Sequence, residues 1–315
     1  MAILAALLYS DQWKYAWKIS KKICPPYRLT GQNQETGTHK TQKGKKVYNG
    51  HNMRSIAIMN QKGGVGKTTS TVNISAALAE AGAKVCVVDL DPQAHATMHF
   101  GLHLADEANS VYDVLTGKCK IADVRHQVDE NLWLIPAHLD MVGAELELAA
   151  VPGRELILRD ELAEDRFPVD YLFIDCPPSL GLFTLNALTA VQHVFVPLQP
   201  HYFSLHGFAR LVETLEAVTK RLNKSLRLSG IFLCMFDGTR LADEVSQSIV
   251  DFFGHRENLP TVCQEAVIFE TKIRRNIRLA EAPSYGSPIL SYDSHSSGAE
   301  DYRNLAGEIA ERFKD

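Results

Sequence analysis

Residues Lys62 to Thr69 read Lys-Gly-Gly-Val-Gly-Lys-Thr-Thr, a run suited to holding a phosphate chain. Gly63, Gly64 and Gly66 can turn backbone N–H groups inward without a Cβ clash, so amides and a helix dipole meet the phosphate charge together. Lys67 supplies a point charge for the β- and γ-phosphates, and Thr68 is placed to set its hydroxyl on Mg2+. Gly63, Gly64, Val65, Gly66, Lys67, Thr68 and Thr69 therefore form the candidate nucleotide cradle, with Lys62 at its edge. Such a site also needs carboxylates to hold the metal and place a water. Val85-Cys-Val-Val-Asp-Leu-Asp91 supplies Asp89 and Asp91, and Tyr171-Leu-Phe-Ile-Asp175 ends in Asp175 ahead of Cys-Pro-Pro. The alternative for an aspartate at a strand end is a turn former or helix cap.

These groups must be carried to one edge of a scaffold. Ser55 to Met59 is a short apolar stretch suited to a buried strand, and Thr68 to Ala81 is Ala-rich and helix-forming, which puts the loop at a helix N-terminus. In a parallel sheet, sites lie at the carboxyl ends of the strands, where the loop and the acidic tips would meet. From Met53 onward, apolar strand candidates fall near 55–60, 84–89, 131–135, 169–175, 193–197 and 228–235, with helical patterns between most of them. That alternation predicts a doubly wound α/β fold: a mainly parallel sheet with helices on both faces, one domain over residues 53–315. Short apolar pieces near Val262 and Ile289 are expected as added edge strands. At 315 residues and 45% hydrophobic content, the chain can bury a substantial core.

The usual phosphate loop has glycine at the position of Gln61; here Lys62 follows instead, and Lys-Gly-Gly-x-Gly-Lys-Thr is the deviant Walker A signature. In this the chain resembles the ParA/MinD family of dimerising ATPases, and over most of 53–315 it looks like the ParA/Soj partition type. The resemblance implies ATP and Mg2+ as ligands and an ATP-dependent homodimer in which Lys62 reaches the partner's ATP, much as an arginine finger does. It implies further that Asp91 of Asp-Pro-Gln orients the attacking water, that Asp175 reaches Mg2+, often through water, and that Asp89 supports the phosphate loop. Family members usually continue Asp-Pro-Gln with glycine, whereas this chain has Ala94 and then His95.

Lys272, Arg274, Arg275 and Arg278 form a basic cluster on an otherwise acidic domain. Composition alone would allow a solvated helix face. Asn276 to Ser284 resembles the family segment Asn-x-Arg-Leu-x-Glu-Ala-Pro-Ser, which implies sequence-independent DNA binding by Arg278 with Arg275 beside it, and an adenine contact from Asn276. Arg240, after Phe236-Asp-Gly, sits near a second such position, and Arg274 stands where the family usually has proline. A ParB-like activator and a cytoplasmic, nucleoid-associated location follow from the same resemblance.

Two other classes share the loop. MinD-type proteins end in a basic amphipathic helix that binds membrane. Here Tyr302, Leu305, Ala306, Ile309, Ala310 and Phe313 form an apolar stripe, but Arg303, Arg312 and Lys314 are mixed with Asp301, Glu308, Glu311 and Asp315. Without a basic excess, packing against the sheet is expected rather than membrane binding. Metabolic amidases and synthases would need a substrate pocket that no sequence feature marks.

Cysteines at 24, 86, 119, 176, 234 and 263 show no Cys-x-x-Cys pair and no zinc spacing, so reduced, mostly buried thiols are expected, Cys176 as a packing residue. Iron–sulfur relatives of the family would need thiolate ligands that these spacings do not supply. Residues 1–52 differ in kind: nine Lys and Arg against Asp11 and Glu35 give net +7, so the rest of a chain of net −4 carries −11. Ala2 to Tyr9 is too short to span a bilayer. Trp13, Tyr15 and Trp17 beside Lys18, Lys21 and Lys22 suit an anionic surface, and Thr30 to Asn52 reads as disordered. Met53 is the expected natural start.

Overall fold

A computed structural model describes residues 53–314, apart from 106, 139–140, 142, 144–146, 202–203 and 256–258. The expectations for residues 1–52 lie outside the described residues.

The first strand, β1 (Arg54–Ile58), shows why the sheet forms where it does. Ile56 and Ile58 point to one face and Ala57 to the other, and all three are fully buried in two separate hydrophobic cores. Each buried isoleucine contributes roughly 1.5–3 kcal/mol, and burial on both faces is what turns central strands into continuous apolar runs. β2 (Val85–Asp89), β4 (Leu132–Ile135), β5 (Tyr171–Asp175), β6 (His193–Leu198) and β7 (Arg227–Phe236) follow the same rule. With β3 (His126–Asp129) and β8 (Val267–Arg274) at the edges, the described residues form an eight-stranded sheet of order β3-β4-β2-β5-β1-β6-β7-β8. Every pairing is parallel except β3 with β4.

Helices cover both faces, as the alternating pattern predicts. α1 (Lys67–Glu80) and the C-terminal helix (Ser297–Arg312) pack on the face of Ile56 and Ile58; Ile74, Leu78, Tyr302, Leu305 and Ile309 fill that core. The opposite face carries the helices Ile157–Glu164, Leu182–Ala190, Ser204–Arg221 and Arg240–Gly254. The stripe expected near the C-terminus is therefore a packing stripe. Asp301 departs from the expected polar face: it is buried and held by Arg274. No helix among the described residues is long and apolar enough to cross a membrane.

Two expected edge strands are helical instead. Thr261–Cys263 is a 3-10 turn after Pro260, and Ile289–Tyr292 a short helix after Pro288. Proline's fixed φ favours entry into a helical turn, which outweighs the β preference of a lone valine or isoleucine. The edges are instead β3, which lacks an apolar run, and β8, whose charged residues obscure its alternation.

Candidate active site

β1 lies between β5 and β6, so the loop after it opens at the carboxyl edge of the sheet, where connections leave in opposite directions. Gly66 caps α1 at φ 95° and Gly64 has φ 70°, left-handed conformations that a side chain would strain. No atom would meet a Cβ at Gly63 or Gly64, so the cradle is open to a ligand. Behind it, the Lys67 side chain is almost wholly enclosed, the residue being 6% exposed, and its Nζ has a long contact of 3.4 Å with the Lys62 carbonyl. Burial lowers its pKa, opposed by the nearby charges of Asp175 and Asp91. A buried ammonium so weakly partnered, beside an open glycine-rich loop at a helix N-terminus, fits an anionic phosphate chain. Gln61 leaves a buried Nε2 without a hydrogen-bond partner, a further donor beside the loop.

Asp175, at the tip of β5, is fully buried and accepts from Thr68 Oγ1 at 2.7 Å and Thr71 Oγ1 at 3.0 Å. The hydroxyl and carboxylate expected at the metal are thus already in contact, a hard oxygen pair suited to Mg2+. Burial raises the Asp175 pKa to about 8, with the charge of Asp89 adding to it; the two strand ends are register partners. Burial also raises Asp89, to about 6.

Asp89 does something other than expected. Its Oδ1 accepts from Asp91 N at 3.1 Å and its Oδ2 from Thr97 N and Oγ1, both at 2.8 Å, so it braces the turn after its own strand rather than the phosphate loop. Thr97 lies on α2 (His95–His99), which that turn launches. Asp91 is buried and its Oδ1 accepts from Gln93 N at 3.0 Å. Ala94 then takes φ 52°, a left-handed conformation that glycine adopts freely. Its methyl group makes this strained by on the order of 1 kcal/mol.

The raised carboxyl has a measurable consequence. A proton held by folded Asp175 up to about pH 8 is lost in the unfolded chain above its ordinary value, so stability falls as pH rises between the two. Buried His99 and His193, lowered to about 4, act oppositely, and their contribution is complete only about a unit above their ordinary value of 6.5. Between pH 6.5 and 8 the nucleotide-free protein is expected to lose on the order of 1 kcal/mol. Denaturant unfolding of wild type and Asp175→Asn checks this: the fall should be absent in the variant, and an equal fall in both would refute the assignment.

A sequence model of the AAA domain matches residues 53–228. The Treponema pallidum (strain Nichols) protein named chromosome-partitioning ATPase Soj is 46% identical over 261 residues, which is 82% of this chain and 98% of the relative. The Bacillus subtilis (strain 168) sporulation initiation inhibitor protein Soj is 44% identical over 257 residues, 81% of this chain and 97% of the relative. This chain belongs to the Soj/ParA family of chromosome-partitioning ATPases. The fold of this Soj/ParA chain is also similar to the crystal structure of cobyrinic acid a,c-diamide synthase from Mycobacterium smegmatis with bound ATP analog and magnesium. The likeness has a TM-score of 0.70 and 34% identity, and covers 84% of this chain and 96% of that one.

The downstream basic segment of this Soj/ParA chain is less uniform than its composition. It is not a helix face: Lys272 and Arg274 lie on β8, and Arg278 on the short helix Ile277–Glu281. Arg274 is tied to buried Asp301 at 2.7 Å, and Lys272 pairs with Asp243 at 3.7 Å and lies over the Phe236 ring. Arg278 remains half-exposed, pairing with Glu281 at 2.8 Å and Asp293 at 3.5 Å. The Arg275 amide donates to the Phe236 carbonyl, which puts Arg275 beside the loop leading to Arg240. Arg240 itself is highly exposed at a helix N-terminus and pairs with Glu244 at 3.0 Å. The Asn276 side chain is committed at both ends, Oδ1 accepting from Arg278 N and Nδ2 donating to Ser297 Oγ, each at 2.8 Å.

Sequence reasoning missed two amides. Asn60 accepts from Lys62 N at 3.0 Å and donates to the Pro197 carbonyl at 2.8 Å, and Gln199 accepts from Lys62 Nζ at 2.7 Å. Asn60 ends the first strand run and is visible as a polar break; Gln199 offers no local signal.

Proposed function

We propose that residues 53–315 act as an ATP-driven dimer switch that partitions DNA. ATP and Mg2+ bind at Gly63 to Thr69, Thr68 and Asp175 hold the metal, and Lys67 neutralises the phosphates. Lys62 bridges to the nucleotide of a second subunit, Asp91 orients the attacking water, and hydrolysis ends the DNA-bound state. The observation that supports this reading is the pairing of a buried lysine with an exposed one in a single loop: Lys67 is 6% exposed, while Lys62 is an exposed residue. The names of the relatives favour a chromosome as cargo, and a ParB-like activator and nucleoid association follow from the same reading.

DNA would lie on the loops at the carboxyl ends of β7 and β8, where Arg240, Arg275 and Arg278 are gathered. Arg240 adds its charge to a helix N-terminus, a combination favourable to phosphate. Each neutralised phosphate contributes about −0.9 to the slope of log K against log salt. Arg278→Glu in a dimer using the patch twice should therefore flatten the slope by about 2 and weaken DNA binding at low salt, read by fluorescence anisotropy across a salt series. A slope unchanged by the substitution would sink the DNA assignment.

The synthase relative supports a second reading, an ATP-dependent metabolic enzyme. Stimulation of ATP turnover by DNA, by liposomes or by neither separates the partition, membrane-positioning and metabolic classes.

A further inference from the structure

We propose that Gln199 is a positioning residue that holds Lys62 within its own subunit, so that bridging to a second subunit requires this hydrogen bond to be given up. The inference rests on the bridging role proposed for Lys62. Lys62 is an exposed residue, yet its ammonium turns back to Gln199 Oε1 at 2.7 Å. Gln199, immediately after β6, is 8% exposed. Its Nε2 donates to the Gly64 carbonyl at 3.2 Å and lies 2.8 Å from Met235 Sδ. Two acceptors on that side fix the amide's orientation, because only the NH2 end can serve them, and so the carbonyl end must face the lysine.

The surroundings hold this arrangement from two sides. Asn60 ties the Lys62 amide to β6 through Pro197, and Met235 keeps a left-handed φ of 55° that is rare for its residue type. The chemistry of the acceptor suits a releasable hold. Lysine carries three donors and no acceptor. A carboxylate here would bind it in a charge-paired contact that a phosphate must displace, and an aliphatic side chain would leave it free. A neutral amide oxygen lies between these limits.

The test compares Gln199→Leu and Gln199→Glu, measuring the dimer dissociation constant by sedimentation with a slowly hydrolysed ATP analogue and Mg2+. Each value is normalised to the variant monomer's affinity for ADP. Loss of a hydrogen bond to a charged group should tighten the Gln199→Leu dimer about tenfold, and the stronger hold should weaken the Gln199→Glu dimer by a similar factor. Both variants lose the donor to Gly64, so a role confined to bracing the loop would move them in the same direction. Shifts of the same sign, or none, overturn the proposal. Lys62→Ala measured alongside separates the two levels. If it stays monomeric while the Gln199 variants behave as wild type, the hold alone fails; if it still dimerises, the bridging role fails.

Discussion

Lys62→Ala is expected to abolish ATP turnover while the protein folds and binds nucleotide normally. The residue is exposed and its removal leaves no cavity, so the only expected loss of thermal stability is the small one from its hydrogen bond to Gln199. Lys67, 6% exposed, is the contrasting case: its loss removes the enclosed positive charge that faces the phosphate loop and should remove nucleotide binding itself. A positive charge supplied in trans to a phosphoryl transition state is worth roughly 10³ to 10⁵ in rate. Single-turnover hydrolysis by Lys62→Ala should therefore fall to background, and turnover at the wild-type rate would end the bridging model.

The second large effect is expected at Asp91. A side chain that positions water and accepts its proton contributes roughly 10² to 10⁴ in rate. Asp91 also accepts from Gln93 N, so alanine would loosen the turn that launches α2, whereas asparagine keeps that hydrogen bond and loses the charge. Asp91→Asn should bind ATP and dimerise like wild type, yet hydrolyse at least a hundredfold more slowly and remain on DNA. Sedimentation with ATP and a phosphate-release assay give the two readings together. Normal hydrolysis would assign Asp91 to the turn alone.

The central sheet was legible because its strands are buried on both faces and so read as unbroken apolar runs ending in polar tips. The edges were not. His126–Asp129 buries neither face fully, and Val267–Arg274 interleaves Phe269 and Ile273 with Glu270, Lys272 and Arg274, which reads as a charge cluster. Val262 and Ile289 failed in the opposite sense, since an adjacent proline redirected short apolar pieces into helical turns. The acidic tips of β2 and β5 were visible, but not that Asp89 serves Thr97 while Asp175 serves Thr68 and Thr71.

The glycine-rich loop is legible from local sequence, because glycine spacing, Lys67 and Thr68 act through contiguous backbone and need only a strand before and a helix after. Local sequence also placed Asp91 and Asp175 at strand ends, since a buried apolar run must stop where the charge begins. Which charges are spoken for depends on how the strands and helices pack. Gln199 meets Lys62 across 137 positions of chain, and Asp301 neutralises Arg274 across 27. A local conformation is set by the residues that adopt it, whereas the partner of a charge is set by which strands and helices pack side by side.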